Sequence, residues 1–469
     1  LPPDIPNGLI GFPGNGEAIL TWDANTESDL SGYNIYGDTD LNPTTLLTTI
    51  GVGSETFTHS GLTNGITYYY SISAIDIAGF ESSTTSVVNA TPDNENYAVF
   101  PIGDGSGSNP YQISSLQNLI WLSYDYLEWS YGKYYVQTSD IDASITSSFN
   151  DGAGFLPIGN NTYQFRATYD GNDYVINGLT INRPNSSNIG LFGHLGFHNH
   201  NSWKGTVTDL GLTNVQIIGN DVVGGMVGVS YNGLVEGCYV TGSVSGNNIV
   251  GGLQGSHEFW AITKESHSEV NVSGSSNVGG FIGSVGQLTS VDKCYSSGSA
   301  TGSSNVGGFI GGASGSSAST SNCYSLTTVD GGTSSNVGGF MGSIGVGSNV
   351  STSYSVGSVS ENGGGFLGSG SGSVSACFWD MESSNQVSSA GGDGRTTAQM
   401  KDVVTFLDAG WDFELETGNG TADYWDMDLS GSDNSGYPFL SWQNGNLTAI
   451  TDLPPDIPNG LIGFPGNGE

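Results

Sequence analysis

A hexapeptide close to Val-Gly-Gly-Phe-Ile-Gly recurs through the second half of the chain at intervals of about 28 residues, a repeat length typical of stacked architectures. Its last glycines are Gly193, Gly228, Gly255, Gly283, Gly311, Gly342 and Gly368. Few helix formers separate these segments, so the pattern predicts a β-solenoid in which each repeat is one coil. Glycine is expected at the corners because it accepts a positive φ. About eight coils at the strand spacing would form a rod roughly 40 Å long, with the Phe, Met and Leu positions stacked inside.

A second marker follows most of these segments and pairs a small residue with an aromatic one. It reads Cys238-Tyr239, Cys294-Tyr295, Cys323-Tyr324, Ser353-Tyr354 and Cys377-Phe378. Cysteine alternates with serine at this position, as at Ser266, so we expect an interior column of small residues with free, buried thiols. A disulfide between Cys294 and Cys323 in adjacent coils is the alternative, although parallel neighbours rarely offer its geometry.

The repeated segments resemble the GLUG motif of bacterial adhesins of the filamentous-haemagglutinin kind and of accessory regions in immunoglobulin A peptidases. The resemblance covers roughly residues 110–445 and implies an adhesin-like surface protein. Short helices are expected at both ends of the solenoid. The first is predicted from Gln112 to Leu122, and a stripe of Met400, Val403, Val404 and Leu407 predicts the second.

Residues 1–92 alternate apolar and polar positions between turn clusters, as strands of a small β-sandwich do. Leu62-Thr63-Asn64-Gly65-Ile66-Thr67-Tyr68 matches a tyrosine corner, and Ala74-Ile75-Asp76-Ile77-Ala78-Gly79 matches the strand that follows it. The segment resembles a fibronectin type III domain, which implies a spacer or binding module. The predicted fold class is therefore all-β, a fibronectin type III-like sandwich plus a β-solenoid with short helical caps.

Seventeen residues at the start of the chain, 1–17, recur unchanged at 453–469. The simplest explanation is a tandem array whose period is slightly shorter than this chain. We therefore expect five parts: a sandwich over 1–92, a linker with the first coils over 93–185, the repeat solenoid over 186–390, a C-terminal cap over 391–452 and the first strand of the next unit over 453–469. The alternative is a set of separate subunits that polymerise by donating this strand to a neighbour.

The chain is strongly acidic, with 44 Asp and Glu against 8 Lys and Arg and a formal charge of −36. Such a charge opposes binding to nucleic acid and to anionic lipid. No apolar run approaches the length of about 20 residues that a membrane helix needs. These features favour an extracellular, cell-surface location, with neighbouring copies of the unit as partners.

One segment resembles half of a calcium-binding loop, with Asp426, Asp428, Ser430 and Asp433 as candidate ligands. The second half fails because Tyr437 stands where a bidentate glutamate is needed. Turn-forming hydrogen bonds are the favoured explanation of these side chains. The sequence therefore predicts no cofactor, with calcium as the alternative. Three histidines, His194, His198 and His200, are close enough in sequence for zinc or copper but lack a further ligand.

No catalytic motif is apparent, and the sequence predicts a structural or adhesive repeat unit of a giant secreted surface protein rather than an enzyme. Glycan-cleaving solenoids place several charged residues on one face, and only Lys264 and Lys293 are cations of the regular coils. The alternative function is a module that binds carbohydrate or host surfaces. Its candidate contacts are the aromatic residues Trp129, Tyr131, Tyr134, Trp203 and Trp260.

Overall fold

The computed structural model describes residues 1–93, 96–197, 204–333, 336–414, 418–428 and 434–445. Strands account for 44% and helices for 9% of the described residues. The fold is a fibronectin type III-like sandwich followed by a β-solenoid of about nine turns with short helices, so the predicted fold class is confirmed. The predicted stack of about eight coils was one turn short.

Two antiparallel sheets form the sandwich. One contains Ile10–Pro13, Glu17–Thr21 and Thr56–Ser60, and the other contains Leu46–Gly51, Leu30–Asp38, Tyr68–Asp76 and Val88–Ala90. Alternate residues of these strands face each other, which buries Tyr33, Tyr70 and Ile72 completely. The backbone N–H of Thr63 donates to the Tyr68 hydroxyl at 3.3 Å, the contact expected of the tyrosine corner.

Parallel strands of successive coils form four faces of the solenoid, named here in the order in which a coil visits them. Face 1 contains Tyr111–Ile113, Tyr134–Gln137, Thr168–Asp170, Thr206–Thr208, Leu234–Glu236, Ile262–Lys264, Ser290–Asp292, Ser319–Ser321, Asn349–Ser351 and Ser373–Ser375. Face 2 contains Ile141–Asp142, Val175–Asn177, Thr180–Asn182, Gly211–Ile218, Tyr239–Ser245, His267–Ser273, Tyr295–Thr301, Tyr324–Ser325, Thr328–Asp330, Tyr354–Ser355, Phe378–Asp380 and Asp393–Arg395. Face 3 contains Asp221–Gly224, Asn248–Gly251, Ser276–Gly279, Ser304–Gly307 and Val337–Gly338. Face 4 contains Phe192–Leu195, Val227–Tyr231, Gln254–Glu258, Ile282–Val285, Ile310–Ala313, Met341–Ile344 and Leu367–Gly370.

The central coils keep a register of 28 residues, in which Val250 pairs with Val278 and Val278 with Val306. The phenylalanines of the hexapeptide therefore stack inside. Ring centroids are 4.7 Å apart between Phe281 and Phe309, and 4.9 Å between Phe309 and Phe340. All three side chains are fully buried. The predicted interior column is confirmed.

The glycines of the hexapeptide are required for a different reason than the one expected. Their φ angles lie outside the left-handed region, and the positive φ occurs just before them, at Asn277 and Asn305. A Cβ atom on Gly279 would lie 2.0 Å from the carbonyl oxygen of Ile282. Glycine is needed here because two stretches of backbone approach closely at this corner.

The described part of the chain contains five short α-helices and three 3₁₀ turns outside the regular coils. The α-helices are α1 (Leu116–Tyr124), α2 (Phe149–Gly152), α3 (Met381–Ser384), α4 (Thr397–Met400) and α5 (Val403–Leu407). The 3₁₀ turns are Ser144–Ser148, Asn434–Gly436 and Ser441–Gly445, and a two-stranded sheet pairs Trp425–Asp426 with Phe439–Leu440. The first helix starts later than predicted because Tyr111–Ile113 joins face 1, after which Ser115 caps α1 by accepting from Asn118 N–H at 3.3 Å.

An apolar joint connects the sandwich to the N-terminal end of the solenoid. Phe100 lies 5.3 Å from Phe12 of the sandwich and 5.7 Å from Trp121 of α1 between ring centroids. The backbone N–H of Ala98 also donates to the carbonyl of Pro13 at 2.8 Å. Ile10 and Phe12 of the sandwich belong to the buried cluster of the solenoid, whereas the rest of the sandwich core forms a cluster of its own.

The chain after α3 packs against the outside of face 2. There the tyrosines of the second marker form an outer column, in which Tyr324 and Tyr354 stack at 5.1 Å. Trp411 donates from its ring N–H to the Ala376 carbonyl, and Trp442 donates to the Lys293 carbonyl, both at 3.0 Å. Of the predicted stripe, only Val404 is exposed, because the chain breaks into α4 and α5 instead of forming one helix.

Candidate functional site

The corner between face 4 and face 1 carries the most varied side chains of the solenoid. Two positions before each face-1 strand, five successive coils place a residue with positive φ, and we call this set the corner column. It contains Asn232, Trp260, Leu288, Ser317 and Gly347, with φ between 51° and 87°. The equivalence follows from the register, because the strands that begin at Leu234, Ile262, Ser290, Ser319 and Asn349 pair in order.

A cleft lies beside this corner column on the surface of the solenoid. It is lined by Lys204, Asn232, Trp260, Ile262, Leu288, Thr289 and Ser290. Trp260 is half-buried, and Leu288 is 42% exposed. The cleft therefore combines an indole and an exposed leucine with an amide, an ammonium group and hydroxyl groups.

Charged side chains line a neighbouring column on face 1, which is formed by the half-buried last residue of each three-residue strand. The register aligns Asp170 with Thr208, Glu236, Lys264 and Asp292. Lys264 forms an ion pair with Glu236 of the preceding coil at 2.6 Å, and Lys293 pairs with Glu265 in the same way. Each of these two lysines therefore has an acidic partner one coil away.

The cysteine position lies at the corner between face 1 and face 2, and all four thiols are free and buried, as predicted. The thiol of Cys238 donates to the Glu236 carbonyl at 3.2 Å, and the Ser266 hydroxyl makes the equivalent bond to Lys264 at 2.8 Å. A small hydrogen-bond donor is needed here because the accepting carbonyl belongs to the residue two positions earlier in the chain, at a tight corner. Burial raises the pKa of Cys238 to about 12, so the thiol is a poor nucleophile.

Buried polar side chains form a second cluster directly inside the corner column. It contains Ser230, Gln254, His257 and Thr263, all fully or almost fully buried. Gln254 donates to the Thr263 hydroxyl at 2.6 Å, but neither ring nitrogen of His257 has a hydrogen-bond partner among the described residues. Desolvation lowers the pKa of His257 to about 3, which keeps the imidazole neutral.

The structure gives a mixed result for the other predicted sites. Asp426 and Asp428 are buried near the C-terminal two-stranded sheet, whereas Ser430 and Asp433 lie outside the described residues. The calcium site therefore stays a prediction. His194 is buried, and desolvation lowers its pKa to about 4. His198 and His200 are also outside the described residues, and no group of three metal-ligating residues occurs within the part that is described.

The five candidate aromatic residues are not on one surface. Trp129 is buried and donates to the Leu122 carbonyl at 2.7 Å, so it packs the N-terminal cap. Tyr131 and Tyr134 are exposed near the start of face 1, and Trp203 lies outside the described residues. Among the described members of this group, Trp260 lines the cleft beside the corner column. The sequence analysis did not identify Leu288. Alignment of the repeats would have shown that it occupies a column of turn-forming residues.

Curated proteins that the chain resembles include halomucin of Haloquadratum walsbyi, which is 38% identical over 174 residues, or 36% of this chain. A Gly-rich membrane protein of Evansella cellulosilytica is 36% identical over 116 residues, 25% of this chain. The chain spans 2% of the length of the first and 12% of the second. These matches suggest a surface or extracellular repeat protein. In the described residues no helix could span a membrane.

Solved structures similar to the chain fall into two groups. A Fn3-like protein from Clostridium thermocellum is 27% identical, and the match covers 20% of this chain and 97% of that one, with a TM-score of 0.18. A pectate lyase from Erwinia chrysanthemi is 12% identical, and the match covers 84% of this chain and 100% of that one, also with a TM-score of 0.18. No protein-family model matches the chain, so the resemblance to the GLUG motif and to adhesins is not confirmed.

The comparisons correct the prediction that the chain is not an enzyme. Enzymes occur among the similar proteins, including the pectate lyase and an amylopullulanase of Thermoanaerobacterium saccharolyticum that is 33% identical over 22% of this chain and 7% of its own length. The sequence argument considered only the cations of the regular coils, Lys264 and Lys293. It left out the carboxylates that the solenoid register places in the same column, where Asp170, Glu236 and Lys264 are aligned on face 1.

Proposed function

We propose that the chain is a structural and adhesive repeat unit of a large secreted surface protein, in which sandwich and solenoid alternate as stiff spacer segments. The observation that carries this proposal is the duplication of residues 1–17 at 453–469. The first copy supplies Phe12, the sandwich side of the apolar joint. A second copy, which contains Phe464, would begin a second sandwich of the same kind.

The proposal includes the five-part division made from the sequence, whose boundaries fall after residues 92, 185, 390 and 452.

Continuous stacking supports a load-bearing role because each coil adds a similar contribution to stability and length. The stacked phenylalanines and the outer tyrosine column extend this stabilisation along the axis. Neighbouring copies in a covalent array are the proposed partners, and polymerisation by a donated strand is the alternative.

The strongly acidic composition, with a formal charge of −36, supports an extracellular, cell-surface location. Ions in the surrounding medium screen the repulsion between the acidic side chains. Labelling of intact cells tests this location. An antibody against the sandwich should stain unpermeabilised cells, and brief protease treatment should remove the signal. Staining that requires permeabilisation would contradict a surface location.

A further inference from the structure

The corner column requires a left-handed backbone, and two of its five residues are poorly suited to it. Asn232, Ser317 and Gly347 are residue types that turns commonly use at such positions. Trp260, with φ of 60°, and Leu288, with φ of 58°, are bulky residues for which a positive φ is unfavourable. The fold alone would favour asparagine or glycine at both positions.

The same two residues flank the cleft, in adjacent coils. Trp260 is half-buried against the solenoid, and Leu288 leaves 42% of its surface exposed. Strained residues and exposed apolar groups both occur where a protein binds a ligand. Val222 and Ile249 adopt the same positive φ on face 3, so strain by itself does not mark a binding site. At Trp260 and Leu288 the strained conformation coincides with a cleft and with exposed apolar surface, and this combination indicates binding.

We propose that this cleft binds a neutral glycan chain. An indole offers a flat apolar surface to the C–H face of a sugar ring. The Lys204 ammonium group and the Ser290 hydroxyl line the same cleft and can hydrogen-bond sugar hydroxyl groups, whereas Asn232 is only 4% exposed. This combination of one aromatic surface and several polar groups suits a carbohydrate better than a purely apolar ligand.

The ligand is neutral because of the net charge of the chain. The chain carries 44 acidic residues against 8 basic ones, so its field repels uronic acid polymers. Lys204 contributes an ammonium group to the cleft lining, and this group can also hydrogen-bond a neutral sugar.

The ligand is also extended along the solenoid axis. Asn232, Trp260 and Leu288 belong to three successive coils, which are separated by the strand spacing of about 4.8 Å. Contacts from one end of this set to the other need an oligosaccharide rather than a single sugar. Glycan binding is additional to the proposed structural role, and a separate experiment measures it.

Titration calorimetry of the whole chain with cellohexaose, mannohexaose, xylohexaose and polygalacturonate tests the proposal. We expect at least one neutral oligosaccharide to bind, and Trp260→Asn to weaken it about tenfold or more, as removal of a central tryptophan contact does. Because asparagine suits a positive φ, Trp260→Asn should keep or raise the thermal unfolding midpoint. Loss of binding then cannot be attributed to unfolding.

Ser317→Asn is the matched control, since it makes the same kind of change in the corner column two coils away from Trp260. It should leave affinity unchanged. The proposal is overturned if none of the neutral oligosaccharides binds, if polygalacturonate alone binds, or if Trp260→Asn binds as the unaltered chain does.

Discussion

Single residues stabilise the solenoid by forming columns in which each coil contributes one side chain of the same kind. The column of Phe281, Phe309, Phe340 and Phe366 has centroid distances of 4.7 to 4.9 Å and no exposed surface. Each ring is therefore in contact with a ring above and a ring below, except at the ends of the column. Loss of one ring leaves a cavity that its stacked neighbours cannot easily fill.

Phe309→Ala should lower the free energy of unfolding by about 3–5 kcal/mol, the usual cost of truncating a buried aromatic side chain. Urea unfolding followed by circular dichroism measures the change. Val346→Ala is a suitable control because Val346 is 77% exposed, and it should alter stability by less than about 0.5 kcal/mol. A loss below about 1 kcal/mol for Phe309→Ala would show that the assigned register is wrong.

His257 lies in a buried column in which the preceding coil places Ser230 and the next coils place Val285 and Ala313. Its folded pKa of about 3 lies below the unfolded value, so the unfolded chain binds more protons as the pH falls. The stability that depends on neutral His257 is complete above about pH 6.5 and declines towards pH 3.

His257→Val should therefore be neutral or stabilising at pH 7.5, since it removes two buried nitrogens without partners in the described structure. Between pH 7.5 and 4.5 the unaltered chain should lose about 2–3 kcal/mol more than the variant. Urea midpoints at the two pH values measure this difference. An equal pH dependence in both proteins would contradict the assigned burial of the imidazole.

The elements of this fold differ in how far the sequence predicts them. Strands of the central coils were predictable because the hexapeptide and the Cys-Tyr marker recur at a nearly constant interval. The corner column was not, because Trp260 and Leu288 contradict the turn preference of their position. The break between α4 and α5 was also missed, since the side chain of Asp402 accepts from Val404 N–H at 3.0 Å and starts a new helix.

The C-terminal segment is the element whose role the structure changes most. Met400, Phe406 and Trp411 join Tyr324 and Tyr354 in a buried cluster on the outside of face 2. The Tyr437 hydroxyl also donates to the buried Asp380 carboxylate at 2.7 Å and ties the segment to the last coil. The segment therefore covers the side of the last coils, and its closure of the solenoid end stays a prediction.

Deletion of residues 397–445 should expose the outer tyrosine column and cause aggregation, because a contiguous apolar patch and open sheet edges would both be presented to solvent. Size-exclusion chromatography with light scattering measures the association state. The full chain is the control and should remain monomeric. A soluble, monomeric deletion variant would show that this segment does not protect the solenoid.

For the whole molecule, the apolar joint determines whether sandwich and solenoid move together. Phe100 packs between Phe12 and Trp121, one on each side of the joint. Sequence analysis placed a linker here and missed the joint, because contacts between residues 12, 100 and 121 leave no periodic signal.

Phe100→Ser should loosen the joint without unfolding either part, since 44% of Phe100 is already exposed. Small-angle X-ray scattering should show a broader distribution of maximum dimensions than in the unaltered chain. Phe80→Ser is the control, because Phe80 is 56% exposed and lies in the loop before the last sandwich strand, away from Phe100. Identical scattering from both variants would indicate that the joint does not restrict motion.

Denaturing gel electrophoresis of the native material tests the central claim, that this chain is one unit of a covalent tandem array. The duplicated seventeen residues predict a single species far above the 48.5 kDa mass of this chain. An antibody against the sandwich would identify it. A band at the mass of one unit, with no larger species, would contradict the array and favour subunits joined by a donated strand.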